Sequence, residues 1–177
     1  NGDIYNYNEI ISDTKQSFNL SFDEKCDSDC LAIPLSLTGL NNLNVSQIKD
    51  SFNKYIGSFA VALQSSQIPD QIILSRKGNQ GLYIGLSYDN IMFSSDIYGL
   101  IESCRYYYPI ESGSIIPMYN NSISISNKFQ LEIQSLDNNH IRLIKYSDLK
   151  TSNITTRDID KKNYSHFLKK EIYETKD

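Results

Sequence analysis

A chain of 177 residues, 40% of them hydrophobic and 21% charged, has the length and composition of one globular domain rather than of a disordered segment. Its net charge is −4 and its lysines and arginines form no cluster, so a surface that binds nucleic acid is not expected. The sequence contains no run of about 18 apolar residues, and we therefore expect no membrane-spanning helix.

The first third of the chain is predicted to be helical. A short helix is expected over residues 4–11, and the acidic residues at 27–29 precede an apolar stretch, which is a signal for a helix start. A further helix is predicted between residues 44 and 57, because apolar residues follow one another at i, i+4 and i+8 from Ile48. Glycine often stands just past the end of a helix, which places the predicted end at Gly57.

From residue 59 the apolar pattern changes to that of strands. Strands are predicted at 59–63, 71–75, 82–86, 91–94, 113–118, 122–126, 130–135 and 141–146. Short turns, one of them at 68–70, are expected to join the first four strands into an antiparallel meander, and residues 137–140 to form a hairpin turn. We also expect a short helix at 96–103, a polar linker at 148–163 and a final helix at 164–174. Helices followed by strands predict an α+β fold with helices packed on antiparallel sheets.

The three cysteines are Cys26, Cys30 and Cys104. An odd number excludes a framework in which every cysteine is paired within the chain, and reduced thiols in a cytoplasmic protein are the simplest interpretation. Cys26 and Cys30 are near enough in sequence to share a metal ion, but neither a second cysteine pair nor histidine partners accompany them. The sequence therefore predicts neither a metal site nor a cofactor.

The two ends of the chain carry motifs that resemble a known family. The opening run Asn1-Gly2-Asp3-Ile4-Tyr5-Asn6 resembles the Asn-Gly turn of class II glutamine amidotransferases. The closing run at 166–174 resembles the His-Phe-x-x-Lys-Glu-Ile-x-Glu segment that leads out of that domain in the glucosamine-6-phosphate synthase family. The chain is therefore similar to the glutaminase part of that family.

Five internal segments extend the resemblance over nearly the whole chain and in the same order. They are 26–33, 57–60, 76–78 together with 85–86, 93–96 and 110–115. No single segment is specific, but seven in order are a strong match. The chain departs from the family's motifs at residues 79–81, 30–31 and 97–99. In this respect it resembles a divergent branch of the family.

The resemblance implies a fold and a domain organisation. The expected fold is the four-layer α/β/β/α sandwich of N-terminal-nucleophile hydrolases, with antiparallel sheets. Residues 1–147 would form the C-terminal part of the glutamine amidotransferase domain, and residues 148–177 a linker and helix towards a sugar-isomerase domain. The cysteine nucleophile and an arginine loop for the substrate carboxylate would precede Asn1, so we expect the chain alone to be inactive.

The resemblance also implies three site residues. In this class a thiolate attacks the side-chain amide of glutamine, and a side-chain amide and a backbone N–H stabilise the oxyanion that forms. Asn1 and Gly2 match those two donors, and Asp29 matches the aspartate that binds the α-amino group of glutamine. From the residues alone, Asn1 and Gly2 are also compatible with an ordinary tight turn, and Asp29 with a helix N-cap.

The expected activity is that of a glutamine–fructose-6-phosphate aminotransferase, in which ammonia from glutamine aminates fructose 6-phosphate on the isomerase domain to give glucosamine 6-phosphate. Its partners would be glutamine, its own isomerase domain and a second subunit of a homodimer, in the cytoplasm. Two alternatives remain. One is another class II amidotransferase of the asparagine-synthetase type, whose opening the run from Asn1 to Asn6 also resembles; the other is a degenerate module that binds glutamine or docks without hydrolysis.

Overall fold

The computed structural model describes residues 1–21, 26, 29–31, 35, 44–87, 90–119, 129–151, 164–166, 169 and 173. Its helices are α1 (Tyr7–Phe18) and α2 (Val45–Asn53). Its strands are β1 (Gly2–Ile4), β2 (Gly57–Ser65), β3 (Ile68–Lys77), β4 (Tyr83–Leu86), β5 (Ile91–Ser94), β6 (Tyr106–Pro109), β7 (Ser114–Tyr119), β8 (Gln130–Ser135), β9 (Ile141–Lys145) and β10 (Lys150–Thr151). Among the described residues, no helix is long and apolar enough to cross a membrane.

The strands form two antiparallel sheets. The larger sheet has the order β1-β2-β3-β7-β8-β9 and the smaller one the order β10-β6-β4-β5. The α+β class with antiparallel sheets is therefore confirmed, whereas the predicted meander of the first four strands is wrong, because β3 pairs with β7 and β4 pairs with β5 and β6. The segment 78–82, with a left-handed residue at Gly78 (φ 74°), carries the chain from one sheet to the other.

The central strands of the larger sheet are buried on both faces. Neighbouring residues of a strand point to opposite faces, and the side chains of Phe59, Ile73 and Ile115 join a core with the helices. Their immediate neighbours Ala60, Leu74 and Ile116 join a second core with residues of the smaller sheet. The described residues thus form three layers, helices on large sheet on small sheet, in the order that the predicted sandwich requires.

The two helices close the outer face of the larger sheet. Ile11 of α1 and the Ile48 and Phe52 side chains of α2 are buried there. At the start of α2 the side chain of Asn44 accepts from the Ser46 N–H at 3.0 Å, which satisfies one of the free donors of the first turn. The C-cap of α1 is Asn19, which has a left-handed backbone (φ 50°). Its N–H donates to carbonyls of the last turn.

Three predicted boundaries are wrong in a way that matters for the site. The helix expected at 4–11 begins at Tyr7 and runs to Phe18, because residues 2–4 pair with β2 as a strand. α2 ends at Asn53 instead of continuing to residue 57, and Gly57 opens β2. The turn expected at 68–70 lies at residues 66 and 67, where the Ser65 hydroxyl accepts from the Gln67 N–H at 3.2 Å.

The rest of the predicted elements are mostly confirmed. The hairpin turn at 137–140 is present, with the Ser135 N–H bonded to the His140 carbonyl at 3.0 Å. The helix expected at 96–103 is a single 3-10 turn, Ile97–Gly99. Within the predicted linker, β10 pairs with β6. The strand predicted at 122–126 and most of the helix predicted at 164–174 lie outside the described residues.

Candidate active site

Asn1 is fixed by its main chain at the edge of the larger sheet. Its nitrogen donates to the Ala60 carbonyl at 3.0 Å and its carbonyl accepts from the Ala60 N–H at 2.8 Å. The two residues therefore form a hydrogen-bonded pair of an antiparallel ladder. Asn1 itself is exposed, so the ladder holds the residue while its side chain lies at the surface.

Gly2 occupies the next position of the same ladder, opposite Phe59. Antiparallel pairs alternate between bonded and non-bonded positions, and the bonded ones here include Asn1 with Ala60 and the Tyr5 N–H with the Ile56 carbonyl at 2.8 Å. This alternation directs the N–H of Gly2 away from β2. Since β1 is the last strand of its sheet among the described residues, that N–H faces outwards from the sheet edge.

Two glycines allow β1 and β2 to approach each other closely. Gly2 has φ +134°, and a Cβ added to it would lie 2.1 Å from the Ser58 carbonyl oxygen. Gly57 has φ +144°, and its Cβ would lie 2.1 Å from the Asp3 carbonyl oxygen. Any other residue at either position would be strained by its backbone and would also push the two strands apart.

Asp29 is half-buried and helical, and its carboxylate makes a local hydrogen bond. The Cys26 N–H donates to the carboxylate at 3.3 Å, and the Asp29 N–H donates to the Cys26 carbonyl at 3.1 Å. A side chain that reaches back three residues in this way has the geometry of the third helical residue of a capping box, and not of the N-cap itself. The ligand role of Asp29 stays a prediction.

A tyrosine that the sequence analysis did not single out links Asp29 to β1. The Tyr55 hydroxyl donates to the carbonyl of Cys30, the residue after Asp29, at 3.0 Å. The Tyr55 ring packs edge-on against Phe59, the residue opposite Gly2, with ring centroids 6.2 Å apart. Burial raises the pKa of Tyr55, with a smaller contribution from Cys30, so its hydroxyl remains a donor at neutral pH.

Two cations of β3 are occupied by structural contacts. Lys77 donates from Nζ to the Tyr55 carbonyl at 2.7 Å, and the Arg76 guanidinium donates to the Ile110 carbonyl. Sequence reasoning missed the roles of Tyr55 and Lys77, because both depend on partners more than 20 residues away. The available signal was weak: an aromatic residue with a polar tip within an apolar segment.

Three cavities among the described residues lie away from the predicted site residues. They have volumes of about 500, 240 and 210 Å³, and none of the three is lined by Asn1, Gly2 or Asp29. Within the described part of the chain, no group of three or more histidine, cysteine or acidic side chains is arranged to hold a metal ion. Among the described residues, Asn1 and Gly2 lie at a sheet edge and Asp29 in a helical turn.

Comparison with known proteins assigns the same region to one family. A family model described as a glutamine amidotransferase domain matches residues 1–102. Glutamine–fructose-6-phosphate aminotransferases (isomerizing) are similar over almost the whole chain. The one from Bacteroides thetaiotaomicron is 22% identical and covers 100% of the chain, and the one from Acinetobacter baylyi is 27% identical and covers 98%. The chain spans 27% and 26% of those two proteins, about a quarter of their length.

A solved structure shares the fold. The glutamine phosphoribosylpyrophosphate amidotransferase from B. subtilis superposes with a TM-score of 0.60 at 18% identity, over 77% of this chain and 28% of that one. This likeness confirms the predicted fold class. The roles of Asn1, Gly2 and Asp29 stay predictions.

Proposed function

Because the chain belongs to the glutamine amidotransferase domain family, we propose that it forms part of the glutaminase site of a glutamine–fructose-6-phosphate aminotransferase (isomerizing). The observation that carries the proposal is the outward-facing N–H of Gly2 beside the exposed side chain of Asn1. These are the two kinds of donor that the hydrolysis of a side-chain amide requires.

The proposed chemistry begins with a thiolate that attacks the amide carbon of glutamine. Negative charge then develops on the amide oxygen, and the Asn1 side-chain amide and the Gly2 N–H donate to it. Since a ladder of backbone hydrogen bonds holds the main chain of both residues, the Gly2 N–H does not have to reorganise as the charge develops. The C–N bond breaks as the leaving nitrogen takes up the proton that the thiol has lost and departs as ammonia, and water then hydrolyses the thioester to give glutamate and restore the thiol.

The nucleophile is proposed to come from outside the described residues. Cys30 and Cys104 are buried, and burial raises the pKa of Cys104, which disfavours the thiolate. Cys26 is exposed but has a bond to Asp29 through its backbone, in the segment proposed to bind substrate. A cysteine elsewhere in the protein would therefore supply the attack.

Asp29 is proposed to bind the ammonium group of glutamine by a charge-assisted hydrogen bond. The bond from the Cys26 N–H is made to one carboxylate oxygen, Oδ2. A carboxylate has room for about four hydrogen bonds, so a local bond and a ligand bond are compatible. The local hydrogen bond of Asp29 and its proposed bond to glutamine can therefore hold together.

The acceptor is proposed to be fructose 6-phosphate, bound by a sugar-isomerase domain of the same protein. This is supported by relatives of that activity whose similarity extends through the whole chain, beyond the residues that the family model matches. A cytoplasmic homodimer, with residues 148–177 leading towards the isomerase domain, completes the proposal.

The Asp29→Asn variant of the protein as its gene encodes it tests the site. A hydrogen bond to a charged group contributes about 1.5–3 kcal/mol, so the KM for glutamine should rise about tenfold to a hundredfold while kcat changes little. The assay follows release of glutamate and of glucosamine 6-phosphate with fructose 6-phosphate present.

Asp148→Asn is the matched control, because the Asp148 carboxylate also accepts from a backbone N–H three residues earlier, that of Lys145, at 2.8 Å. It should leave the KM unchanged. If Asp29→Asn behaves like this control, Asp29 has a local role alone. If the encoded protein releases no glutamate from glutamine, the proposed function itself is wrong.

A further inference from the structure

Tyr55 lies where the helical layer meets the first two strands of the larger sheet. It follows the end of α2, its side chain is 2% exposed, and its ring packs between Phe52 at 5.8 Å and Phe59 at 6.2 Å. Two such aromatic neighbours restrict the ring to a narrow range of orientations. The direction of its hydroxyl is therefore set by packing.

The hydroxyl ends on the backbone of the segment that contains Asp29. It donates to the Cys30 carbonyl at 3.0 Å in a fully buried environment, across 25 residues of sequence. A polar group buried in an apolar core is costly unless it is hydrogen-bonded, so this contact fixes both partners. Because Cys30 is the next residue after Asp29, the hydrogen bond from Tyr55 also restricts where the Asp29 carboxylate can lie.

The backbone that carries Tyr55 is itself held from two sides. The Asn6 side chain accepts from the Ile56 N–H at 2.9 Å and donates to the Lys54 carbonyl at 2.9 Å. From β3, Lys77 donates to the Tyr55 carbonyl at 2.7 Å. Asn6 lies two residues after the end of β1, so the same three residues, 54–56, are tied both to the strand that contains Gly2 and to the segment of Asp29.

We infer that Tyr55 is a positioning residue, which holds the Asp29 carboxylate at a fixed place relative to the Asn1–Gly2 edge through its hydrogen bond to Cys30. The inference rests on the proposed function in that Asp29 and the Asn1–Gly2 edge are the two halves of the glutamine site. Asp29 would bind one end of glutamine and Asn1–Gly2 the amide at the other, so their separation must match the length of the substrate.

The test is Tyr55→Phe in the protein as its gene encodes it, which keeps the ring packing and removes the hydroxyl. The net contribution of such a hydrogen bond corresponds to a change of about three- to tenfold in an equilibrium constant. The KM for glutamine should therefore rise by about that factor. The value of kcat should change by less than about twofold, because the bonds that hold Asn1 to Ala60 are untouched. Amide exchange at Cys26 and Asp29, measured without substrate, should become faster.

Tyr108→Phe is the matched control. Tyr108 is also a buried tyrosine, with a hydroxyl that accepts from Arg142, but it belongs to the core between the two sheets. It should lower the melting temperature to a similar extent without moving the KM or the exchange at Cys26 and Asp29. An equal change of KM in both variants would mean a merely structural effect and would overturn the inference.

The exchange measurement separates this inference from the proposed function. If the encoded protein does not hydrolyse glutamine, the proposed function is wrong, while faster exchange at Cys26 and Asp29 in Tyr55→Phe alone would still support the positioning contact. Unchanged exchange in that variant would overturn the inference whether or not the protein is active.

Discussion

At the scale of single residues, the clearest feature of the site is that the main chain and the side chain of Asn1 have separate roles. Its main chain forms both hydrogen bonds to Ala60, whereas its side chain lies exposed at the surface. Removal of the side chain should therefore leave the strand in place. This makes Asn1 a position where catalysis and stability can be measured separately.

Asn1→Ala in the gene-encoded protein should lower kcat for glutamine hydrolysis about a hundredfold or more, because one donor to the oxyanion is lost. The KM for glutamine and the melting temperature should change little, and steady-state kinetics with thermal unfolding of the same sample checks both. A rise in KM with kcat intact would assign Asn1 to substrate binding.

At this scale, the sequence could predict a role only where that role is carried by residues close together in the chain. Asn1, Gly2 and Asp29 stand in short motifs, and a motif can be recognised without knowledge of the fold. Tyr55 could not be found, because a tyrosine in an apolar segment looks the same whether its hydroxyl meets water or a carbonyl 25 residues away. Its role exists only once the helical layer has closed on the sheet.

At the scale of elements, the pairing of β1 with β2 depends on two residues without side chains. β1 has three residues and pairs with β2 through Gly2, Asp3 and Ile4. A strand this short contributes few hydrogen bonds, so its position is sensitive to any increase in the spacing between the strands.

Gly57→Ala should destabilise the protein by about 1–3 kcal/mol, because the residue has a positive φ and its Cβ would meet the Asp3 carbonyl. The kcat for glutamine should fall as well, since β1 carries Gly2. Denaturant unfolding and kinetics measure the two effects.

Gly113→Ala is the control for this substitution. Gly113 also has a positive φ, +77°, but its added Cβ would meet just the Asp137 carboxylate at an ordinary 3.7 Å. It should lower stability by less than Gly57→Ala and leave kcat unchanged. Equal losses of stability in both variants would show that backbone strain, and not the close approach of the strands, decides the cost.

Element boundaries failed where tertiary hydrogen bonds overrode local pattern. The start of α2 was predicted from Asn44 and is capped by it. Its end was placed too late, because Ile56 continues the apolar spacing of Ile48 and Phe52. In the folded chain Asn6 binds the backbone of residues 54 and 56, and Ile56 is 61% exposed. Periodicity records which residues are apolar, and not which backbone groups are bonded by a distant side chain.

At the scale of the whole molecule, each of the two cores contains a buried tyrosine with a raised pKa. Burial raises the pKa of Tyr55 in the helical core. In the core between the sheets burial is again the main cause for Tyr108, where Glu111 adds to the increase and Arg142 opposes it. Both cores therefore favour the protonated phenol.

Stability should consequently fall at alkaline pH. Because the folded-state pKa lies above the ordinary value of about 10, the stabilisation is complete below that pH and is lost as the pH rises towards the folded-state pKa. The free energy of unfolding, measured between about pH 8 and about pH 11, should decrease, and less so in the double variant Tyr55→Phe/Tyr108→Phe. The same decrease in both proteins would assign it to other groups.

Which strands share a sheet could not be predicted from the sequence. β3 and β4 are as near in the chain as hairpin strands, yet they belong to different sheets, and β3 pairs with β7 from Gln71 opposite Tyr119 to Arg76 opposite Ser114. The α+β class, in contrast, follows from composition and period, which do not depend on the pairing.

The burial of β3 and β7 on both faces has a consequence for how such a domain can change over time. A strand with one solvent-exposed face tolerates substitution at every second residue. In these strands, side chains contact the helices and the smaller sheet alternately. Substitutions that are neutral for folding should therefore accumulate at the sheet edges and loops. The proposed oxyanion donors Asn1 and Gly2 lie at such an edge, where Asn1 is exposed, so we expect Asn1 to be held constant by catalysis and Gly2 by catalysis and by the close approach of β1 and β2.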